Sequence, residues 1–339
     1  MTTIAIFSGY HLPHLGGIER YVSKLSAELV RRGHRVIIVT SRHTDLPERE
    51  ESDGVTIYRL PVRRLFRERY PIPAVGTRRY RELLRLVATE PIDHVVLNTR
   101  FHLTSLIGAR FARSKGIDPL LIEHGTAHFT VGVAALDWFG KGYEHLVTAL
   151  VARHFTRFFG VSSSCNDWLR HFGLTASGVL YNAIDPADAG HAGAPPAGVP
   201  DEATVVTYAG RLLREKGVLN LLDAFDRLEA PGATLLIAGD GPLRAEVERR
   251  AAADARIQVL RQLDFGAMMA LYARTDVFVH PSLYPEGLPT SVLEAALLRC
   301  AIVATPRGGT EEVIVDAAHG TIVDGSVPSL LDALQTLCS

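Results

Sequence analysis

Cysteine is scarce in this chain: Cys165, Cys300 and Cys338 are the only three in 339 residues. They lie far apart and match neither a disulfide framework nor a metal knuckle, so three inert thiols in a reducing compartment are expected. A surplus of either charge is also missing. Lys and Arg number 36 against 37 Asp and Glu, which leaves no global field to draw the chain to nucleic acid. No apolar stretch reaches the roughly 20 residues of a membrane-spanning helix. "MTTIAIFSGYH" runs straight into a strand-like segment without a basic leader or cleavage site, so a cytoplasmic protein is expected. There is no Walker loop, no G-x-S-x-G elbow and no His or Cys cluster at metal-ligand spacing, which weakens hydrolase and metalloenzyme readings; no bound metal is expected. "AGDGPLRAEV" (238–247) begins like a dinucleotide fingerprint, but Arg244 stands where the third glycine belongs and no acidic residue ends a strand about 20 positions on, which argues against NAD. No period of 20 to 50 residues indicates a solenoid.

What is present is a rhythm of short Ile- and Val-rich runs alternating with helical patterns. In the first half these are "TIAIF", "RVIIVT", "VTIYRL", "DHVVLN" and "PLLIEH", the pattern of βαβ units with strands buried on both faces. The rhythm restarts with "TVVTYAG", "ATLLIAGDG", "RIQVL", "DVFVHPS" and "CAIVATPRGG", between helices such as "VLNLLDAFDRLEA" and "PLRAEVERRAAAD". Between the halves lies "ADAGHAGAPPAGVP", a stretch of Ala, Gly and Pro that cannot hold a core. The chain is also too long for one core. The expected organisation is α/β: a Rossmann-like doubly wound domain over 1–186, a linker over 187–200, and a second such domain over 201–339, with ligands at the carboxyl ends of the strands.

Four constellations carry chemistry. The first is "EGLPTSVLE", which puts Glu294 inside the apolar run Leu288 to Ala304 and Glu286 at its entrance. A buried carboxylate is costly unless something bonds to it. Pro289 suits the first position of a helix, Gly287 permits an unusual backbone before it, and free amides there attract phosphate. The two carboxylates can hold opposite ends of an extended polar ligand, with a vicinal diol as a good partner for Glu294. Alternatively, Glu286 is solvated and Glu294 pairs with Arg299.

The second is "YAGRLLREKG", where Gly210 follows a strand and Arg211 and Lys216 share one strand-to-helix loop. Two cations there can neutralise a diphosphate, or simply form a solvated basic loop. In the third, Gly16 and Gly17 open an amphipathic helix and let the backbone approach a ligand, or form a tight turn. The fourth ends a buried strand with Glu123 and His124. His124 is placed to donate to a sugar hydroxyl or a carbonyl with Glu123 orienting it, or is a satisfied structural histidine.

In this order, these stretches resemble the retaining glycosyltransferases of family 4 (glycosyl transferases group 1), which have the GT-B architecture of two Rossmann-like domains facing across a cleft. "EGLPTSVLE" matches the paired glutamates of that family, "GRLLREKG" its basic loop, "GGIERYVSKLSAELVRRGHRV" its N-terminal glycine loop and helix, and "YNAID" resembles "NGID", with Ala183 where glycine is usual. The resemblance implies a nucleotide diphosphate sugar on the C-terminal domain, with UDP and GDP both open. Arg211 and Lys216 would contact the diphosphate and Glu294 the ribose hydroxyls. Glu286 and the amides of Gly287 and Leu288 would hold the donor sugar, with Gly210, Pro289 and Thr290 lining the same site. Gly16 and Gly17 would approach the phosphates, and His124 would lie near the transferred sugar. It further implies retention by same-face attack, with a donor phosphate oxygen taking the acceptor's proton, and no metal or other cofactor, the two cations replacing it. Family members usually continue through further helices beyond the point where this chain ends at Ser339, so domain closure is expected to be affected.

The acceptor side is read from residues 59 to 85, which hold nine Arg against two Glu with apolar residues between them. Arg63, Arg64 and Arg67 would meet an anionic lipid-linked or glycan acceptor, or an anionic membrane face, or form a solvated basic surface. The resulting expectation is a metal-independent hexosyltransferase of cell-envelope or polysaccharide biosynthesis, at the inner face of the membrane. The alternatives are a non-catalytic nucleotide-sugar-binding protein of the same fold, or a GT-B phosphorylase or epimerase.

Overall fold

A computed structural model describes residues 1–14, 16–42, 46–63, 71–130, 133–154, 157–191, 193, 197–199 and 202–338. The chain divides into two compact units, Met1–Tyr181 and Asn182–Ser339. The division precedes the Ala-, Gly- and Pro-rich segment, whose start forms a short 3-10 helix over Pro186–His191 within the second unit.

In the first unit the elements run β1 (Thr3–Phe7), α1 (Gly17–Arg31), β2 (Arg35–Ser41), β3 (Arg49–Ser52), β4 (Val55–Leu60), β5 (Val62–Arg63) and β6 (Ile72–Pro73). They continue as α2 (Arg78–Thr89), β7 (His94–Asn98), α3 (Leu103–Ser114), β8 (Leu120–Glu123), α4 (Ala134–Ala152), β9 (Arg157–Gly160), α5 (Ser163–His171) and β10 (Ala176–Val179). Eight strands form one sheet in the order β10-β9-β8-β7-β1-β2-β4-β3. All its pairings are parallel except β3 with β4. β4 is buried along its whole length, as a strand covered on both faces must be. The antiparallel β3 reads "REES", a short charged edge that discourages pairing with another chain. Ile37, Val39, Leu97, Leu121 and Leu83 sit in the core of this unit.

The second unit runs β11 (Thr204–Ala209), α6 (Val218–Phe225), β12 (Ala233–Ala238), α7 (Arg244–Ala253), β13 (Ile257–Arg261), α8 (Phe265–Arg274) and β14 (Val277–His280). It ends with α9 (Thr290–Leu297), β15 (Ala301–Ala304), α10 (Thr310–Val313), β16 (Thr321–Ile322) and α11 (Val327–Leu337). Its sheet has six parallel strands in the order β13-β12-β11-β14-β15-β16. Counted within the unit, that is the 3-2-1-4-5-6 order of a doubly wound dinucleotide fold. Helix α6 is shorter than the pattern "VLNLLDAFDRLEA" suggests, because the amide of Leu228 turns back to the carbonyl of Phe225.

These orders locate the candidate sites. In each sheet the chain leaves the central strand in both directions, between β11 and β14 in the second unit and between β1 and β7 in the first. The loops after those strands diverge and open a crevice at their carboxyl ends.

Candidate active site

In the second unit the two loops that flank the switch point are stitched together by backbone. After β11, the Tyr208 hydroxyl donates to the carbonyl of Arg211 (2.9 Å), and the Leu212 amide donates to Asp240 O (3.0 Å). A 3-10 turn, Arg214–Lys216, then closes at Gly217, whose φ of 74° is left-handed. A Cβ at Gly217 would lie 2.0 Å from the carbonyl oxygen of Pro281, so only glycine lets the loop after β11 touch the loop after β14. The Leu283 amide completes the seam by donating to Glu215 O (2.8 Å).

The seam delivers Lys216 to Glu286. The lysine ammonium forms an ion pair with Glu286 Oε1. Ser282 Oγ donates to the same oxygen at 2.7 Å, and His280 Nε2 stands 3.6 Å from it. Burial pushes the Glu286 carboxyl up, but His280 and Lys216 outweigh it and hold the pKa at about 2. An ionised carboxylate only accepts hydrogen bonds, so this one is matched to hydroxyl donors. Lys216 also lies 5.1 Å from the centre of the Tyr284 ring. Arg211 and Gly210 are exposed on the loop after β11.

The residues after Glu286 are held from two sides. Gly309 N donates to Gly287 O (2.7 Å), and a Cβ at Gly308 would fall 2.3 Å from the carbonyl oxygens of both Glu286 and Gly287. Asn182 Nδ2 donates to Leu288 O at 2.6 Å, so the asparagine of "YNAID" clamps the entrance to α9. Helix α9 starts at Thr290, not at Pro289. Pro289 has ψ 114°, an extended conformation, and precedes the first helical residue. Glu294 lies in the second turn at 4% exposure, beside Val292 and Ala295 of the core. Arg299 lies beyond the helix, exposed, with a left-handed φ of 63°.

In the first unit Glu123 ends β8, but it does not orient the His124 ring. Its Oε1 accepts the backbone amides of His124 (3.2 Å) and Gly125 (3.1 Å). Its Oε2 accepts the amide of Arg100 (3.2 Å) and lies 3.0 Å from Arg100 Nη1. Burial raises the Glu123 carboxyl, and Arg100 more than reverses this, leaving it below the usual range. Arg100 is fully buried. Its Nη2 also donates to Glu144 Oε2 (2.6 Å), and its guanidinium stacks 4.0 Å from the Phe172 ring centre. Thr99, just before it, is β-branched yet has φ 68°, a strained turn that aims the Arg100 amide at Glu123.

The residue that orients His124 is Asn98, at the end of β7. Asn98 Nδ2 donates to Phe7 O (3.5 Å), and Asn98 Oδ1 lies 2.9 Å from His124 Nε2. On this network Nε2 carries the proton and Nδ1 keeps its lone pair. Burial pushes the imidazole down to about 4, so it is neutral near pH 7. It therefore offers a ligand an acceptor in place of the donor expected for it. Tyr21 on α1 meets the ring edge-on at 4.8 Å.

Of the glycine pair, Gly16 precedes the first residue of α1, Gly17. A Cβ at Gly16 would lie 2.3 Å from Glu19 Oε2, while one at Gly17 would meet nothing within 4 Å. Gly17 is thus free of an internal packing reason to be glycine. Arg63 is exposed at the end of β5; Arg64 and Arg67 lie outside the described residues. His280, Ser282 and Asn98 were not singled out from sequence. Their signal was available, since each is a polar residue at or just past the carboxyl end of an apolar strand.

Two doubly wound units of this kind define the GT-B class of glycosyltransferases. The chain belongs to Glycosyltransferase Family 4: the model of that family matches residues 15–188, and the model of Glycosyl transferases group 1 matches residues 194–339. An uncharacterized glycosyltransferase of Methanocaldococcus jannaschii is 23% identical over 96% of this chain and 86% of its own length. A human phosphatidylinositol N-acetylglucosaminyltransferase subunit is 25% identical over 98% of this chain and 67% of its own. Among solved structures, Anabaena HepE in complex with UDP and glucose has a TM-score of 0.73 at 16% identity, covering 99% of this chain and 89% of that one. No helix among the described residues is long and apolar enough to cross a membrane.

Proposed function

We propose that this glycosyltransferase is a retaining, metal-independent hexosyltransferase that takes its sugar from a UDP- or GDP-type donor and passes it to a glycan or lipid-linked acceptor. The observation that carries this reading is the Lys216–Glu286 pair at the switch point of the second sheet. A donor diphosphate would draw Lys216 away from Glu286, and the freed carboxylate would accept hydroxyls of the donor sugar. Glu294 would bond the ribose diol, and Gly210, Gly287, Leu288, Pro289 and Thr290 would line the same site. Breaking the anomeric C–O bond leaves negative charge on the diphosphate and positive charge on the sugar. Arg211, Lys216 and the first amides of α9 would offset the former, in place of a divalent ion. The acceptor oxygen would then bond the anomeric carbon on the face the diphosphate leaves, its proton passing to a phosphate oxygen. The first unit would serve the acceptor, with Gly16, Gly17 and His124 as its ligand-facing positions.

HepE, by its description, was solved with UDP and glucose, which supports a nucleotide donor. The human relative is named for a sugar transfer to phosphatidylinositol, which supports a lipid-linked acceptor and, with exposed Arg63, a peripheral role at the cytoplasmic membrane face in envelope or polysaccharide biosynthesis. The test is a panel of UDP-, GDP- and ADP-sugars, read first by thermal shift and then by release of nucleoside diphosphate with and without added membrane lipid extract. Transfer predicts stabilisation by one nucleotide class and acceptor-dependent release, with product NMR showing the donor's anomeric configuration. Stabilisation without acceptor-dependent release would favour a non-catalytic binding protein, and inversion at the anomeric carbon would overturn retention.

A further inference from the structure

Three histidines far apart in sequence meet in the first unit: His128 after β8, His145 on α4 and His171 at the end of α5. Each offers a ring nitrogen, and the three atoms lie within 4.8 Å of one another. Imidazoles on a tetrahedral zinc at about 2.0–2.1 Å stand roughly 3.4 Å apart, so closing the site takes an approach of no more than about 1.4 Å. His145 and His171 are exposed, and staggered χ rotations supply movement of that size.

The surroundings are those of a built ligand set. His128 Nδ1 lies 3.1 Å from Glu144 Oε2. That carboxylate is 1% exposed, held by Arg100 Nη2 at 2.6 Å and the Phe129 amide at 2.7 Å. A carboxylate on one ring nitrogen fixes the tautomer and leaves the other, Nε2, as the nitrogen that can ligate, an arrangement found behind most histidine ligands to zinc. Trp168 stacks flat on His171, with ring centres 4.7 Å apart and planes within 4°, and Phe172 lies 4.6 Å from His145. We propose that His128, His145 and His171 bind one borderline divalent cation of the zinc type, solvent taking the fourth position and the ion tying α4 and α5 to the loop after β8. Neutral imidazoles suit zinc, nickel and copper, and not magnesium or calcium. This site uses none of the residues proposed above, of which Gly16, Gly17, Arg63 and His124 belong to the first unit and the rest to the second, and it does not depend on that reading.

The test uses the full chain without a histidine tag, stripped with chelator and titrated calorimetrically with Zn2+ alone; Co2+ reports geometry through its visible bands. The expected result is one Zn2+ per chain, tetrahedral Co2+ bands displaced by zinc, and at least a tenfold weaker affinity in both His145→Ala and His171→Ala. Both residues are exposed, so the melting temperature of each metal-free variant should match the parent. His319→Ala, which removes an exposed histidine paired with Asp316 in the second unit, should leave zinc affinity unchanged. Absence of zinc binding in the parent, or affinity retained in both His145→Ala and His171→Ala, would overturn the proposal.

Discussion

Both units hold an ionised glutamate at or beyond the carboxyl end of a buried strand, yet their partners differ in freedom. Glu123 is paired with Arg100, a fully buried cation stacked on Phe172 and shared with Glu144. Glu286 is paired with Lys216, which is 21% exposed and ends a 3-10 turn just before Gly217. A planar, fully enclosed guanidinium cannot leave without stranding the ionised Glu123, whereas a lysine on a flexible stem can be drawn to a competing anion. The first arrangement is scaffold that shapes the turn carrying His124; the second is the ion pair that, on the proposed function, a donor diphosphate would open.

The largest expected effect tests the scaffold half of that contrast. Arg100→Ala should destabilise by about 3–5 kcal/mol in urea unfolding, because Glu123 and Glu144 lose their shared cation. A change under about 1 kcal/mol would break the comparison.

Glu286→Gln should lower transfer by on the order of 10²-fold while costing on the order of 1–3 kcal/mol of stability near neutrality. The pH dependence has a definite sign. The folded carboxyl is held at about 2 against an ordinary 4.5, so its stabilisation is complete above 4.5 and disappears as pH falls toward 2. The stability gap between Glu286→Gln and the parent should therefore be widest above pH 5 and narrow between pH 4 and 3. A gap independent of pH would place the stabilisation elsewhere.

Smaller effects separate glycines needed for packing from those left open. Gly217→Ala forces a left-handed residue against Pro281 O and should cost roughly 1–3 kcal/mol, lowering donor affinity through the displaced Lys216. Gly17→Ala meets no neighbour and should leave stability within about 0.5 kcal/mol. Weakened donor binding in that variant would mark Gly17 as a ligand-facing position; unchanged binding would remove it from the site.

How far the sequence reaches depends on the range of the interaction. The strands of both sheets stand out because runs such as "VTIYRL" and "ATLLIA" are buried on both faces, a local property. β3 and β16 escape notice, since "REES" and "TI" have no apolar run and owe their pairing to neighbouring strands. The start of α9 differs by one residue because Pro289 keeps an extended ψ. At the sites, residue types at strand ends point to Glu123, His124, Lys216 and Glu286, but their partners lie at long range. Arg100 is 23 positions from Glu123 and Glu286 is 70 from Lys216. No spacing rule connects them, and so Glu123 was expected to orient an imidazole that Asn98 holds. The three clustered histidines escape for the same reason.

The central claim, that Lys216 leaves Glu286 for a diphosphate, is tested most directly by calorimetric titration of the parent and Lys216→Ala with the nucleoside diphosphate that stabilises the chain best. An affinity at least tenfold weaker in a folded Lys216→Ala protein is the predicted result. Equal affinity in the two proteins would contradict it.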